Sequence, residues 1–244
     1  MHSPYIFEHV AWHNCMQPPI DRLSCVIFDI DGTLARTSDL IFASFNHLAS
    51  RHLGRRFEPA EIVALFGPPE EGAIEKVFGP EATPALMDEL CAFYQEHHAS
   101  MAALHGGVDG MLQFLKSRGV RLGVFTGKGS RTTRITLSSL GLSAYFDCVV
   151  TGNDVAHHKP HPEGILSTLE RLRVPAGETI MVGDSLSDIK ASRAAGVRMA
   201  LVLWDPYQGD RLRGEAADWV FETVEEMDRW VRACLNHRSN RDAT

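Results

Sequence analysis

The sequence lacks most features that would assign it to a specialised class of protein. It has five cysteines in 244 residues, Cys15, Cys25, Cys91, Cys148 and Cys234, and no CxxC pair. An odd number at wide spacing argues against a disulfide framework and fits a reducing, cytoplasmic setting. Cys25 and Cys148 sit inside apolar runs, where a free cysteine acts as a small hydrophobe. No apolar run approaches the ~18 residues that a membrane span requires, so no membrane partner is expected. The first twenty residues, "MHSPYIFEHVAWHNCMQPPI", have neither a basic start nor a long apolar centre. They do not read as a secretory signal and are taken as an N-terminal extension, residues 1–20. Positive charge is also short: 24 basic residues face 31 acidic ones, for a net charge of -7. That speaks against nucleic acid, whose phosphate backbone calls for basic patches. A small phosphate ester needs only one local cation and stays compatible. There are no repeats and no low-complexity tract.

What is present is an ordinary globular composition, 44% hydrophobic and 8% aromatic, long enough for one domain with an insertion. Apolar runs rich in β-branched residues recur as "LSCVIFDI" (23–30), "VRLGVFT" (120–126), "FDCVVTG" (146–152), "TIMVGD" (179–184) and "VRMALVLW" (197–204), with a weaker sixth, "ADWVFE" (217–222). They are continuous rather than alternating, as strands buried on both faces are. Helical patterns lie between them. Met111, Leu112 and Leu115 share a face ahead of Gly119. Ser130 is a candidate N-cap for a helix ending at Gly141, and Ile165, Leu166, Leu169 and Leu172 follow helical spacing. The alternation predicts an α/β fold with a doubly wound, mainly parallel, Rossmann-like sheet.

Residues 31–119 break the alternation. They carry helical patterns, with Ile41, Phe45 and Leu48 on one face, and Thr83 as a candidate N-cap before Pro84. The expected organisation is an α/β core over 21–36 and 106–244, with an inserted helical cap over 37–105. An insertion after the first strand stands over the carboxyl edge of the sheet, where such folds bind ligands, and is expected to act as a lid.

The strand ends carry the chemistry. In "DIDGTL", Asp29 and Asp31 are two apart and project to one side if strand geometry persists. Gly32 permits a sharp turn, and Thr33 offers a hydroxyl and an amide to an anion; a solvated Asp-Gly turn is the competing account. "VFTGKGS" supplies Thr126 and Gly127, suited to a phosphate oxygen. "AHHKPHPEG" supplies Lys159 as a counter-charge stiffened by the following proline. "VGDSLSD" supplies Asp184 and Asp188 beside a helix start. Asp29, Asp31, Asp184 and Asp188 against Lys159 alone leave three negative charges uncompensated, which would repel a phosphate. A hard divalent cation with oxygen ligands, Mg²⁺ above all, resolves this. "GVFTGKGS" is not a P-loop, because only three residues separate its glycines and Gly129 replaces the Ser/Thr. His97, His98, His157, His158 and His161 have no paired Cys/His set around them that would read as zinc. Trp204 is expected in core or loop packing.

The order and spacing of "DIDGTL", the Thr126 strand end, "KPHPE" and "GDSLSD" over residues 24–204 resemble the haloacid dehalogenase-like hydrolases, in the phosphoglycolate phosphatase-like branch with a helical cap. The resemblance implies a phosphoric monoester hydrolase acting on a small phosphorylated metabolite, as a monomer or homodimer. In it Asp29 is the nucleophile that forms an aspartyl-phosphate. Asp31 is the general acid and then base, with its backbone carbonyl on the metal. Thr126 and Lys159 hold the phosphoryl group, Asp184 binds Mg²⁺, and Asp188 acts through water or by positioning Lys159. An acidic residue at Asp31 points to phosphoryl transfer rather than dehalogenation. In the cap segment "LFGPPEEGAIEKVFG", Glu70 stands where related sugar-phosphate mutases carry an arginine. Lys76 and Arg56 are candidate substitutes for it, with solvated helix charges as the competing account. A phosphomutase or pyrophosphatase on the same scaffold, or a catalytically weak phosphometabolite-binding protein, remains as an alternative.

Overall fold

A computed structural model describes residues 20, 22–206, 212 and 214–239. All but one residue of the expected 1–20 extension, including Cys15, lies outside the described residues; Ile20 is buried. Six parallel strands form the main sheet: β1 (Cys25–Phe28), β4 (Arg121–Phe125), β5 (Cys148–Val150), β6 (Thr179–Gly183), β7 (Arg198–Val202) and β8 (Trp219–Phe221), in the order β5-β4-β1-β6-β7-β8. The chain starts in the middle and winds out both ways, the doubly wound α/β topology that the apolar runs predict. The weak run at 217–222 is the edge strand.

The continuous apolar strands are explained by burial on both faces. In β1, Val26 and Phe28 point into one cluster with Leu122, Val124, Ile180 and Val182. Cys25 and Ile27 point into the other with Met181, Met199, Ile165 and Ile189. The first face is covered by α5 (Val108–Ser117) and α9 (Val224–Ser239), the second by α7 (Glu163–Leu172) and α8 (Leu186–Ala194). Leu166 differs from expectation: it is 47% exposed, and Ile165 with the half-buried Leu169 and Leu172 forms the packed face of α7.

Between β1 and β4 the chain makes two short strands that the sequence pattern does not reveal. β2 (Ala35–Arg36) and β3 (Ala103–Leu104) pair antiparallel, Ala35 opposite Leu104 and Arg36 opposite Ala103. Four helices lie between them: α1 (Ser38–His52), α2 (Pro59–Val63), α3 (Glu70–Phe78) and α4 (Thr83–Met101). They enclose a hydrophobic core of their own, with Phe45, Leu48, Ile62, Ile74, Met87 and Leu90 buried. Two expected caps fall differently. Thr83 is the first residue of α4, and its hydroxyl donates to the Gly79 carbonyl, because Ala82 before it is already in the α conformation. Gly129, extended, takes the N-cap position of α6 (Ser130–Ser139), and the Ser130 amide donates to Asn153.

Candidate active site

Asp29 stands where β1 ends. Its amide donates to the Val182 carbonyl at 2.9 Å, so it is held by the sheet, and its Oδ1 accepts the Ile30 amide at 2.8 Å. The chain then turns through Gly32, whose φ is 77°. A Cβ there would lie 2.1 Å from Asp184 Oδ2, so glycine serves both the left-handed turn and the close approach of Asp184. Gly183 repeats the device, since a Cβ would meet the Asp188 carboxyl at 2.4 Å. The Trp204 indole N–H donates to the Thr33 carbonyl at 3.0 Å and braces the turn.

Lys159 closes the cluster. Its ammonium lies 3.2 Å from Asp29 Oδ2 and 2.7 Å from Asp188 Oδ1, with its side chain 6% exposed and set over the Phe125 ring. Burial alone would favour the neutral amine, but Asp188 and Asp29 outweigh it and hold the pKa above its ordinary value. Asp188 is fully buried and shares a reciprocal cap with Ser185 at the start of α8. Asp184, buried behind Gly32, accepts the Thr33 hydroxyl at 3.2 Å. That contact revises the expectation for Thr33. It is fully buried and its hydroxyl points at Asp184, so it positions a carboxylate and does not face an incoming anion.

Asp29, Asp184 and Asp188 each offer an oxygen within 4.8 Å of the others. Burial pushes the Asp29 carboxyl up to about 6 against the pull of Lys159, with Asp188 and Asp31 adding to the rise. Burial, then Asp29 and Asp188, push Asp184 well above the ordinary carboxylate range. Three crowded carboxylates share one ammonium, and every donor is a hard oxygen. This is the environment that a hard divalent cation relieves, so the residues fit such an ion.

Asp31 has separate partners. Its Oδ1 accepts the Thr37 hydroxyl at 2.5 Å, and its Oδ2 is 3.5 Å from Lys128. Lys128 is the group that the sequence pattern missed. Its side chain is 1% exposed, lies over the Tyr94 ring and also meets Glu70 at 3.5 Å. Glu70 in turn accepts the Gly129 amide and the Thr132 hydroxyl, each at 2.6 Å. The glutamate found in place of a cation thus ties α3 to the loop after β4. "TGKG" contained the signal, but the contact spans residues far apart in sequence. Thr126 and Gly127 line the same cleft as Asp29 and Lys159, and the Thr126 hydroxyl accepts the Lys128 amide at 3.2 Å.

The cleft measures about 780 Å³ between the sheet edge and the inserted helices. Lys76 and Arg56 are exposed and do not line it. Outside it, the structure gathers histidines that the sequence left unpaired: His157, His161 and Glu163 bring donor atoms within 4.8 Å of one another on an exposed loop. Hydrogen bonds account for that gathering, since Glu163 accepts the Ala156 and His157 amides and the His157 ring.

Fold and site together define a capped, doubly wound hydrolase, with its polar groups at the carboxyl ends of the strands. The family model for haloacid dehalogenase-like hydrolases matches residues 26–202. The chain belongs to that family. The pyrophosphatase PpaX of Anoxybacillus flavithermus is 33% identical over 206 residues, covering 84% of this chain and 95% of that protein. PpaX of Bacillus velezensis is 32% identical with the same coverage. Among solved structures, CbbY from Rhodobacter sphaeroides in complex with phosphate superposes with a TM-score of 0.74 at 23% identity, covering 84% of this chain and 96% of that one. A predicted phosphoglycolate phosphatase from Haemophilus somnus gives 0.72 at 20% identity, covering 84% and 96%. No helix among the described residues is long and apolar enough to cross a membrane.

Proposed function

We propose that this protein is a Mg²⁺-dependent cytoplasmic phosphatase that hydrolyses a small-molecule phosphate monoester through an aspartyl-phosphate. The observation that carries this reading is the division of partners between the two acids of "DIDGTL". Asp29 sits with Asp184, Asp188 and Lys159, whereas Asp31 is held apart by Thr37 and Lys128. One carboxylate is placed for attack and the other for proton transfer.

In the first step an Asp29 oxygen bonds to phosphorus, the bond from phosphorus to the ester oxygen breaks, and Asp31 gives its proton to the departing alcohol. In the second, Asp31 takes a proton from water, whose oxygen displaces Asp29 from phosphorus. Lys159 and Thr126 hold the phosphoryl oxygens. Asp29, Asp184 and the Asp31 backbone carbonyl would hold Mg²⁺, which supplies charge neutralisation for the transferring group. Asp188 keeps Lys159 in place through their 2.7 Å contact. The inserted helices serve as a lid that excludes water.

Asp29→Asn is expected to lower turnover of an aryl phosphate by about 10⁴-fold or more, the scale seen when a nucleophile is removed. Stability should hold or rise, because burial already disfavours the carboxylate. Activity retained in Asp29→Asn would sink the mechanism. EDTA should abolish turnover and Mg²⁺ should restore it. A second reading, pyrophosphatase activity, is favoured by the PpaX relatives. Phosphate release from pyrophosphate, measured beside that from a monoester, separates the two.

A further inference from the structure

We infer that the cleft is built for a phosphate ester whose alcohol portion is apolar, and that Phe42, Val63, Leu65 and Phe66 bind that portion. The inference rests on the phosphatase reading above and narrows its substrate class.

The first argument is exposure. Among the described residues the exposed large hydrophobic side chains are Leu53, Val63, Phe66, Leu166 and Leu186. Val63 at 43% and Phe66 at 48% both line the cleft. Apolar surface left open inside a concave site marks ligand contact more than it marks chance. The wall continues into the half-buried Phe42 and Leu65. These residues come from the inserted helices and the loop after α2, opposite the acidic cluster at the sheet edge.

The second argument is charge. Among the described residues, the cleft lining holds six carboxylates but only two cations, Lys128 and Lys159. Lys159, beside Asp29 and Asp188, serves the transferring phosphoryl group, and Lys128 is committed to Asp31 and Glu70, so neither is left for a second anionic group. On the side of the inserted helices the ionised groups are Glu58 and Glu70. A substrate with a second anionic group, such as pyrophosphate or a carboxylated phosphate ester, would place that charge against carboxylates and apolar walls. An apolar alcohol portion meets no such cost. The volume points the same way, because about 780 Å³ lies within the roughly 300–1,000 Å³ typical of pockets for drug-sized ligands, well beyond the needs of two phosphates.

The test uses the full chain with Mg²⁺ and a series of n-alkyl phosphates from ethyl to hexyl, with pyrophosphate and phosphoglycolate alongside. kcat/KM is expected to rise about fourfold for each methylene that enters the apolar wall. Phe66→Arg should lower the hexyl-to-ethyl ratio by about tenfold or more and shift preference toward the doubly anionic probes. Val63→Ser gives an independent reading of the same ratio should the arginine variant fold poorly. Turnover with a flat or falling dependence on chain length overturns the inference and leaves the phosphatase reading standing. So does pyrophosphate or phosphoglycolate outpacing hexyl phosphate in the native protein. No turnover of any member overturns the phosphatase reading and this inference with it.

Discussion

Glu70→Ala tests how the inserted helices are fastened to the core. The Glu70 side chain is 11% exposed and accepts two hydrogen bonds at 2.6 Å, from the Gly129 amide and the Thr132 hydroxyl. Each is a bond to an ionised acceptor, a kind that contributes about 1.5–3 kcal/mol. Removing the carboxylate also leaves the buried Lys128 with one carboxylate partner, Asp31, beside the Tyr94 ring. Water reaches part of this edge and offsets some of the loss, so the net destabilisation should be about 3 kcal/mol. Other ties across the same contact are the buried Tyr94–Thr136 hydrogen bond at 3.0 Å, the exposed Asn153–Glu71 hydrogen bond at 3.4 Å and the exposed Arg131–Asp88 pair, the last two adding little. A double-mutant cycle with Thr132→Val, read by urea unfolding, isolates one bond. Thr132→Val alone should cost about 2 kcal/mol, and the double variant little more than Glu70→Ala, for a coupling of about 1.5–2 kcal/mol. Single effects that add to within about 0.5 kcal/mol would refute the reasoning, since groups in direct contact must couple. In that case the 2.6 Å contact holds nothing together.

Gly32→Ala should destabilise by about 1–3 kcal/mol, through its positive φ and the 2.1 Å approach to Asp184, and an unchanged urea midpoint would disprove that contact. Asp147 gives a pH prediction. Burial pushes its carboxyl up, but the Leu122 amide, Lys116 and Arg121 outweigh this and hold it below the ordinary value of 3.8. A lowered folded pKa means stabilisation that is present above pH 3.8 and lost as pH falls through the folded value. Asp147→Asn should therefore cost about 1–1.5 kcal/mol at pH 7, because the amide oxygen still accepts from Leu122 but without the charge that strengthens that bond and faces Lys116 and Arg121. The gap should close below about pH 4, and a gap that persists at pH 2 contradicts the assignment.

Much of the site is legible in the sequence because each part is local to a strand end. Asp29, Thr126 and Asp184 follow apolar runs, and a parallel sheet sends the carboxyl ends of its strands to one edge. The errors arose where direction or partner mattered. Thr33 carries a hydroxyl suited to an anion, but the turn points it at Asp184. Lys128 reads as part of a turn, yet it is buried between Asp31 and Glu70. Leu166 follows the helical period but faces outward, because Ile165 already occupies the packed face. β2 and β3 are two residues each, too short for any periodic signal.

The residue pattern was enough for the strands, the helices and the acidic character of one sheet edge, because period and burial are properties of neighbours along the chain. It could not say which charge meets which. β6 lies beside β1 in the sheet, Phe28 against Val182, although about 150 residues separate them. That crossover brings Asp184 and Asp188 to Asp29 and sets Lys159 between Asp29 and Asp188. Packing of the inserted helices then turns Glu70 onto the Gly129 amide and leaves Val63 and Phe66 open to the cleft. Hydrogen bonds and ion pairs act over a few ångströms, so their partners exist only once the chain has folded back on itself.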